Sequence, residues 1–391
     1  MKRFLFVLCV LGLLLAGYAC AEPNSYKFPE ELCTVEGISF RITYSKTDHE
    51  WQASITDADP GCVSTAVPFE VGCTADWVEY NDGTEEAPVY RTVNNVYVTA
   101  TVRSIDSKAF QGCTSLTKIA IPDTVKTIGM NAFDGCTSLK SVNFGAGLNT
   151  IEAGAFSGCP LTEIVVPDSV TTIGGGAFGG TTPVNVTLPF TGVSLTNPYI
   201  YNKEFKYIFS GENSQRGDIP DTIRTVTITQ QTEAKAYAFR NCAQITTIRY
   251  PDETTSIRTY AFDGCAALTD FQLPAALESI DNYAFNGCAA LGSVRYGGSP
   301  CMRELVSIGG RNEPLTNAAW TYALTKELLL PQNVQLLESE ALAGTGAEVV
   351  LIPQSCSSVA ADAFDNCPGL RYIVNRSAVE INAPDGVTVL N

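Results

Sequence analysis

The chain contains a single histidine, His49, and that scarcity removes whole classes of chemistry. A serine or cysteine nucleophile driven by an imidazole base would have to be built around this residue, and so would a zinc site made of several imidazoles. No Gly-x-Ser-x-Gly elbow accompanies it. His49 stands in "SKTDHEWQ" between two strand-like segments and reads as a solvated turn residue. Positive charge is short as well: 25 Lys and Arg face 41 Asp and Glu, a net charge of −16. Such a surface repels phosphate backbones, and no basic cluster with interleaved aromatics offsets it, so nucleic acid is not an expected partner. Long apolar runs are missing beyond the first residues, since Leu328-Leu329-Leu330 is far too brief to cross a bilayer.

The first residues are a different matter. Lys2 and Arg3 precede an apolar run from Phe4 to Ala16, the layout of a secretory signal covering residues 1–21. Ala19-Cys20-Ala21 fits cleavage before Glu22, while Cys20 offers lipidation as the alternative, although Gly17-Tyr18-Ala19 lacks the Leu that a lipoprotein pattern wants three residues before the cysteine. The expected destination is outside the cytosol, extracellular or at a cell surface. Membrane contact is expected only through a lipid on Cys20, which would make the protein an outer-membrane lipoprotein.

From Ser104 onward the chain repeats itself. Ile105-x3-Ala109-Phe110-x-Gly112-Cys113 returns as Ile128-x3-Ala132-Phe133-x-Gly135-Cys136, and the Ala-Phe pair recurs at Phe156, Phe178, Phe239, Phe262, Phe285 and Phe364. A steady spacing of 22–23 residues marks a solenoid, in which one coil cannot bury its apolar groups but stacked coils can. Within each coil Leu116, Ile119 and Ile121 point inward from an extended segment ended by Pro122. Phe fills the interior of the other wall, Ala admits a close backbone and Gly permits a reversal. Degenerate coils fill about residues 190–233, where Ile208-Phe209-x-Gly211 replaces Ala-Phe-x-Gly, and about 297–345, where Ala319-Trp320 and Ala341-Leu342 replace Ala-Phe.

The expected fold is therefore a β-rich repeat solenoid of about eleven coils over residues 102–375, behind a β-rich cap at 22–101 and ahead of a C-terminal cap at 376–391. Caps are needed because an open end would expose apolar side chains and unpaired strand edges. The unit Ala-Phe-x-Gly-Cys-x2-Leu-x2-Ile-x-Ile-Pro-x2-Val-x2-Ile resembles the BspA-like (Treponema-type) leucine-rich repeat surface proteins. That resemblance implies a curved, right-handed leucine-rich repeat array with parallel strands on its concave face. It also implies a secreted or surface-attached bacterial protein, some relatives of which act as adhesins for host proteins or other microbes.

Cys113, Cys136, Cys159, Cys242, Cys265, Cys288 and Cys367 share one slot of the repeat, which Thr181 occupies once. The slot asks for a small buried side chain, so a packing ladder is expected in place of a disulfide framework or metal cluster. Cys33, Cys62, Cys73, Cys301 and Cys356 lie outside it, and a Cys62–Cys73 bridge stays open. Asp123, Asp168 and Asp221 follow prolines, as turn residues do, and Asp57 and Asp59 in "DADPG" read as a turn more readily than as a calcium site. Gly174-Gly175-Gly176 reads as drift of the repeat, not as a phosphate loop.

No catalytic, metal-binding or cofactor-binding residue is therefore nominated, and no cofactor is expected. The expected function is non-catalytic binding of a protein partner on another cell or in host matrix. A carbohydrate-binding surface component is the alternative, to be recognised by clustered exposed aromatics, and a hydrolase with converging carboxylates is a more remote one. Between the inward residues of each strand, the outward ones line one face: Lys118, Asn143, Glu163, Arg249, Gln272 and Arg295 are the candidate contact residues. Tyr199, Tyr201, Phe205 and Tyr207 in "NPYIYNKEFKYIF" form a candidate aromatic rim, or else plug the gap of a degenerate coil.

Overall fold

The computed structural model describes residues 25–27, 33–35, 38–45, 50–59, 70–81, 90–194, 204–210 and 219–391. The chain is a β-solenoid of about eleven turns of about 23 residues, with little helix. It divides into two compact units, Met1–Thr181 with Ile208–Ser214, and Thr182–Tyr207 with Gln215–Asn391. The stretch 1–21 expected to be an export signal, Cys20, His49, Cys62, Tyr199 and Tyr201 lie outside the described residues, as do the side chains of Cys33 and Cys73.

In the first unit each coil contributes two strands, and both stack in parallel with the next coil. The longer strands Lys118–Ala120 and Ser141–Asn143 pair Ile119 with Val142. The short strands Thr127–Ile128, Thr150–Ile151 and Thr172–Ile173 form a second ladder. The Ala-Phe turns make a third wall through their backbones, with Phe110 N–H donating to the Ala132 carbonyl and Phe133 N–H to that of Ala155, both at 2.7 Å. Inside, Phe110, Phe133 and Phe156 stack at 4.8 and 5.0 Å between ring centres, the spacing of adjacent strands. That column answers the need for neighbours: every ring is fully buried because the coils on either side supply its faces.

Gly135 shows what the turn requires. Its φ of 71° is left-handed, and the equivalent position passes to Asn241 and Asn366, at φ 60° and 59°, where Gly is absent. The glycine run corrects in part its sequence reading as drift. Gly176 has φ 63°, and a Cβ on Gly174 would stand 2.2 Å from the Ala153 nitrogen. Close approach thus accounts for Gly174, whereas the slot of Gly176 is filled by Lys108 and Asn131 in earlier coils and is variable, as the sequence suggests.

The lead-in strands join this ladder directly. Ile38–Ser45 pairs antiparallel with Glu50–Ala58, and Glu70–Asn81 pairs antiparallel with Tyr90–Ile105. The far end of Tyr90–Ile105 then runs parallel to Glu50–Ala58 on one side and to Thr127–Ile128 on the other. One strand therefore belongs both to the antiparallel lead-in and to the parallel solenoid.

The second unit repeats the scheme. Asn185–Leu188, Thr225–Ile228 and Thr247–Arg249 stack in parallel, then Asp270–Leu273, Ser293–Tyr296 and Ala319–Tyr322, then Glu327–Leu329, Val349–Ile352, Tyr372–Asn375 and Thr388–Leu390. One replacement differs from expectation. Ala319-Trp320 does not stand for Ala-Phe, because Trp320 pairs with Val294 inside a longer strand. In that coil a helical turn, Glu313–Asn317, takes the place of the Ala-Phe turn. Leu315 is buried there, and the Phe285 N–H meets the Asn312 side-chain oxygen at 2.9 Å instead of an alanine carbonyl. Leu342 does behave as expected, donating its N–H to the Ala363 carbonyl. In the first unit the Ile208 carbonyl accepts the Phe178 N–H as an Ala-Phe alanine does, but in the second unit it is Phe205, not Phe209, whose N–H donates to the Ala238 carbonyl and whose ring packs on Phe239.

Candidate functional site

The strand period sorts the side chains. In Asp270–Leu273 and Ser293–Tyr296 burial alternates exposed and buried, because successive side chains leave opposite faces of a strand. Lys118, Asn143 and Glu163 are accordingly exposed in the first unit, and Arg249, Gln272 and Arg295 in the second. Gln272 lies opposite Arg295, which lies opposite Thr321, and Arg249 lies opposite Thr227. Thr187 is paired with Thr227 one strand further on. The result is a shallow face of Thr, Gln and Arg. Among the described residues, the guanidinium groups of Arg249 and Arg295 have no hydrogen-bonding or ion-pair partner.

The aromatic rim divides differently. Phe205 is fully buried and packs 5.1 Å from Phe239, so this member of the proposed rim is core. Tyr207 is half-buried, with its N–H donated to the Glu204 carbonyl. For Phe205 the gap-filling alternative holds.

The seven cysteines of the repeat slot are unpaired thiols, all buried except Cys367. Cys136 donates to the Phe110 carbonyl at 3.0 Å, Cys159 to Phe133 at 3.1 Å, Cys265 to Phe239 and Cys288 to Phe262 at 3.2 Å. Cys113, Cys301 and Cys356 are also free and buried, and Cys367 is half-buried. Burial pushes the Cys288 thiol up to about 12 and the Cys301 thiol up to about 11. Burial also holds Cys265 well above its ordinary value. These are poor nucleophiles, because the thiolate is the reactive form. Among the described residues no group of three His, Cys, Asp or Glu is placed to hold a metal ion.

A cleft of about 390 Å³ in the first unit is lined by Arg41, Ser104, Asp106, Thr127 and Glu152. Its carboxylates serve the framework. Asp106 accepts from the hydroxyls of Ser54 and Ser104 at 3.3 and 3.4 Å and faces Arg41 at 3.6 Å, and Glu152 accepts the Met130 N–H at 2.8 Å. Asp123 has a similar duty, holding the Ala146 N–H of the next coil at 2.7 Å.

A feature that the sequence reading passed over lies outside the strand face. The position two residues before the Ala-Phe phenylalanine is left-handed in every coil from Phe110 to Phe285 that carries the pair, and in the first unit it holds Lys108, Asn131, Gly154 and Gly176. In the second unit three consecutive coils place tyrosine there: Tyr237, Tyr260 and Tyr283, at φ 63°, 59° and 62°. Each left-handed non-glycine residue costs roughly 1–2 kcal/mol. The rings are half-buried and stacked at 5.3 and 4.9 Å, and such pairs return only about 0.5–1.5 kcal/mol each. Arg240 sits 5.4 Å from the Tyr237 ring centre and 5.7 Å from that of Tyr260, and its Nε is 3.3 Å from Asp263. The signal was in the sequence, as Tyr-Ala-Phe recurring every 23 residues.

Comparison with known proteins gives one family. The family model described as the BspA type leucine rich repeat region matches in six copies, at residues 90–185, 206–299 and 232–371. None of the curated proteins matches the chain. Among solved structures, a leucine-rich repeat protein from Bacteroides ovatus is 18% identical, with 92% of this chain and 99% of that one covered and a TM-score of 0.36. The leucine-rich repeat protein of T. pallidum is 22% identical, over 67% of this chain and 91% of that one, with a TM-score of 0.35. A leucine-rich cell surface protein from Faecalibacterium prausnitzii is 19% identical, over 89% and 95%, with a TM-score of 0.31.

Proposed function

We propose, from the premise that this chain belongs to the BspA-type leucine-rich repeat family, that it is an exported, non-catalytic bacterial surface protein that binds a protein partner through its longer strands. Export rests on the basic and apolar layout of residues 1–21. A repeat array offers a broad, shallow surface, which suits a protein better than a small molecule needing a concave pocket. The observation that carries the reading is the pair of guanidinium groups, Arg249 and Arg295, without a partner among the described residues, on the strand face of a chain with net charge −16. Arginine is favoured at the centres of protein interfaces because its planar fork binds carboxylates in two places at once. Thr227, Gln272 and Thr321 supply neutral hydrogen-bonding groups between and beside them.

The test is capture of the mature protein by immobilised matrix proteins and by cells of other microbes. Replacing both arginines, Arg249→Glu with Arg295→Glu, should weaken capture by about tenfold or more, while circular dichroism stays unchanged. Undiminished capture by the folded double variant would reject this face. Lys118, Asn143 and Glu163 belong to the same proposal for the first unit, and their alanine variants form the second arm.

A further inference from the structure

We propose that Tyr237, Tyr260 and Tyr283 form a binding strip for a linear, neutral glycan, a site separate from the strand face and independent of the reading given for it. The argument starts from conformation. A left-handed position is filled at low cost by Gly or Asn, as Gly154, Gly176 and Asn131 do in the first unit, and in other coils by the long charged side chains of Lys108 and Glu340. Three successive coils instead place a bulky ring there and leave it half-buried. The strain is shared by the slot; what sets these three coils apart is an unbroken row of aromatic rings kept at the surface. Each ring is held against its neighbour by stacking at 5.3 and 4.9 Å, so little side-chain freedom is left to lose on binding.

The chemistry around the strip selects the ligand. Its charges are already matched: Asp263 is held by Arg240 at 3.3 Å and by the Asn286 amide at 2.7 Å, and Glu233 by Lys235 at 2.7 Å and by Arg258. A strip with its charges compensated has little to recruit a polyanion. Each phenol hydroxyl can both donate and accept, and the Arg240 guanidinium that lies against the Tyr237 and Tyr260 rings also braces Asp263. That combination complements a ligand rich in neutral hydroxyls. The strip is narrow and regular, one ring per coil, whereas a stable protein interface needs roughly 800 Å² on each side. A chain of sugar rings running along the coils meets one phenol after another.

Binding of cello-, laminari- and manno-oligosaccharides to the mature protein, followed by titration calorimetry, tests this, with heparin and immobilised matrix protein as controls. The decisive variant replaces all three rings, Tyr237→Asn, Tyr260→Asn and Tyr283→Asn. Asn already holds this position at Asn131 with φ 56°, so the backbone is preserved. We expect at least one oligosaccharide to bind, and the triple variant to bind it about tenfold more weakly or worse with its melting temperature undiminished. Capture of matrix protein by the same variant should be unchanged, which separates this site from the strand face. Failure of every oligosaccharide to bind, undiminished binding by the variant, or loss of heparin or protein binding alone would each overturn the assignment.

Discussion

Single residues in this array act through the coil above and the coil below. Phe133 touches rings on both sides, so Phe133→Ala should cost about 3–5 kcal/mol in denaturant unfolding; a loss under about 1 kcal/mol would contradict its inward register. The thiols make a second prediction, on pH. With the Cys288 thiol raised from 9.0 to about 12 by burial, the folded chain keeps a proton that the unfolded chain releases. Below about pH 9 both states are protonated and this thiol gives no pH dependence. Between about 9 and 12 the unfolded state gains, and stability falls by about 1.4 kcal/mol per pH unit for this thiol. Cys288→Thr, copying the natural Thr181, should flatten that alkaline slope in urea midpoints measured from pH 8 to 11.

Elements are where legibility in the sequence varied. The Ala-Phe turn was readable because Phe, Ala, Gly and Cys each meet a separate demand of packing, close approach, chirality or size. Where one demand is met by other means, the pattern misleads. Ala319-Trp320 imitates Ala-Phe, yet the helical turn Glu313–Asn317 already closes that coil and Trp320 enters a strand. The glycine run shows the reverse error, since close approach to Ala153 leaves no trace in a one-coil pattern. Gly174→Ala should therefore destabilise the array by about 1–3 kcal/mol, visible as a lower urea midpoint, whereas a neutral result would mean that the Gly174 turn relaxes freely. The outward strand residues were legible from alternation alone. The tyrosine strip was not noticed, because attention to buried slots passes over a residue conspicuous for its backbone angle.

At the scale of the molecule, the described cysteines are unpaired. Thiol counting on the folded protein should find few reactive groups and, after denaturation without reductant, many more; equal counts near zero would mean that the ladder is oxidised to disulfides. Charge acts at this scale too. If Arg249 and Arg295 bind an acidic partner, raising salt from 0.05 to about 0.5 M should weaken protein capture, because the Debye length contracts to a few ångströms. Binding of a neutral glycan to the strip, whose charges are paired with one another, should barely respond.

The strand Tyr90–Ile105 finally bears on how the array comes into being. From Ile105 to Ile173 each coil of the first unit pairs with one 22 or 23 residues away, as Ile128 does with Ile105 and Ile151 with Ile128, so each of these steps closes a loop of the same modest length. What such a zipper lacks is a first tooth. Tyr90–Ile105 is held by Glu70–Asn81 along most of its length and offers its far end as the template for Thr127–Ile128. A strand held in this way would let growth in this unit run from amino to carboxyl end, the order in which a ribosome delivers the chain.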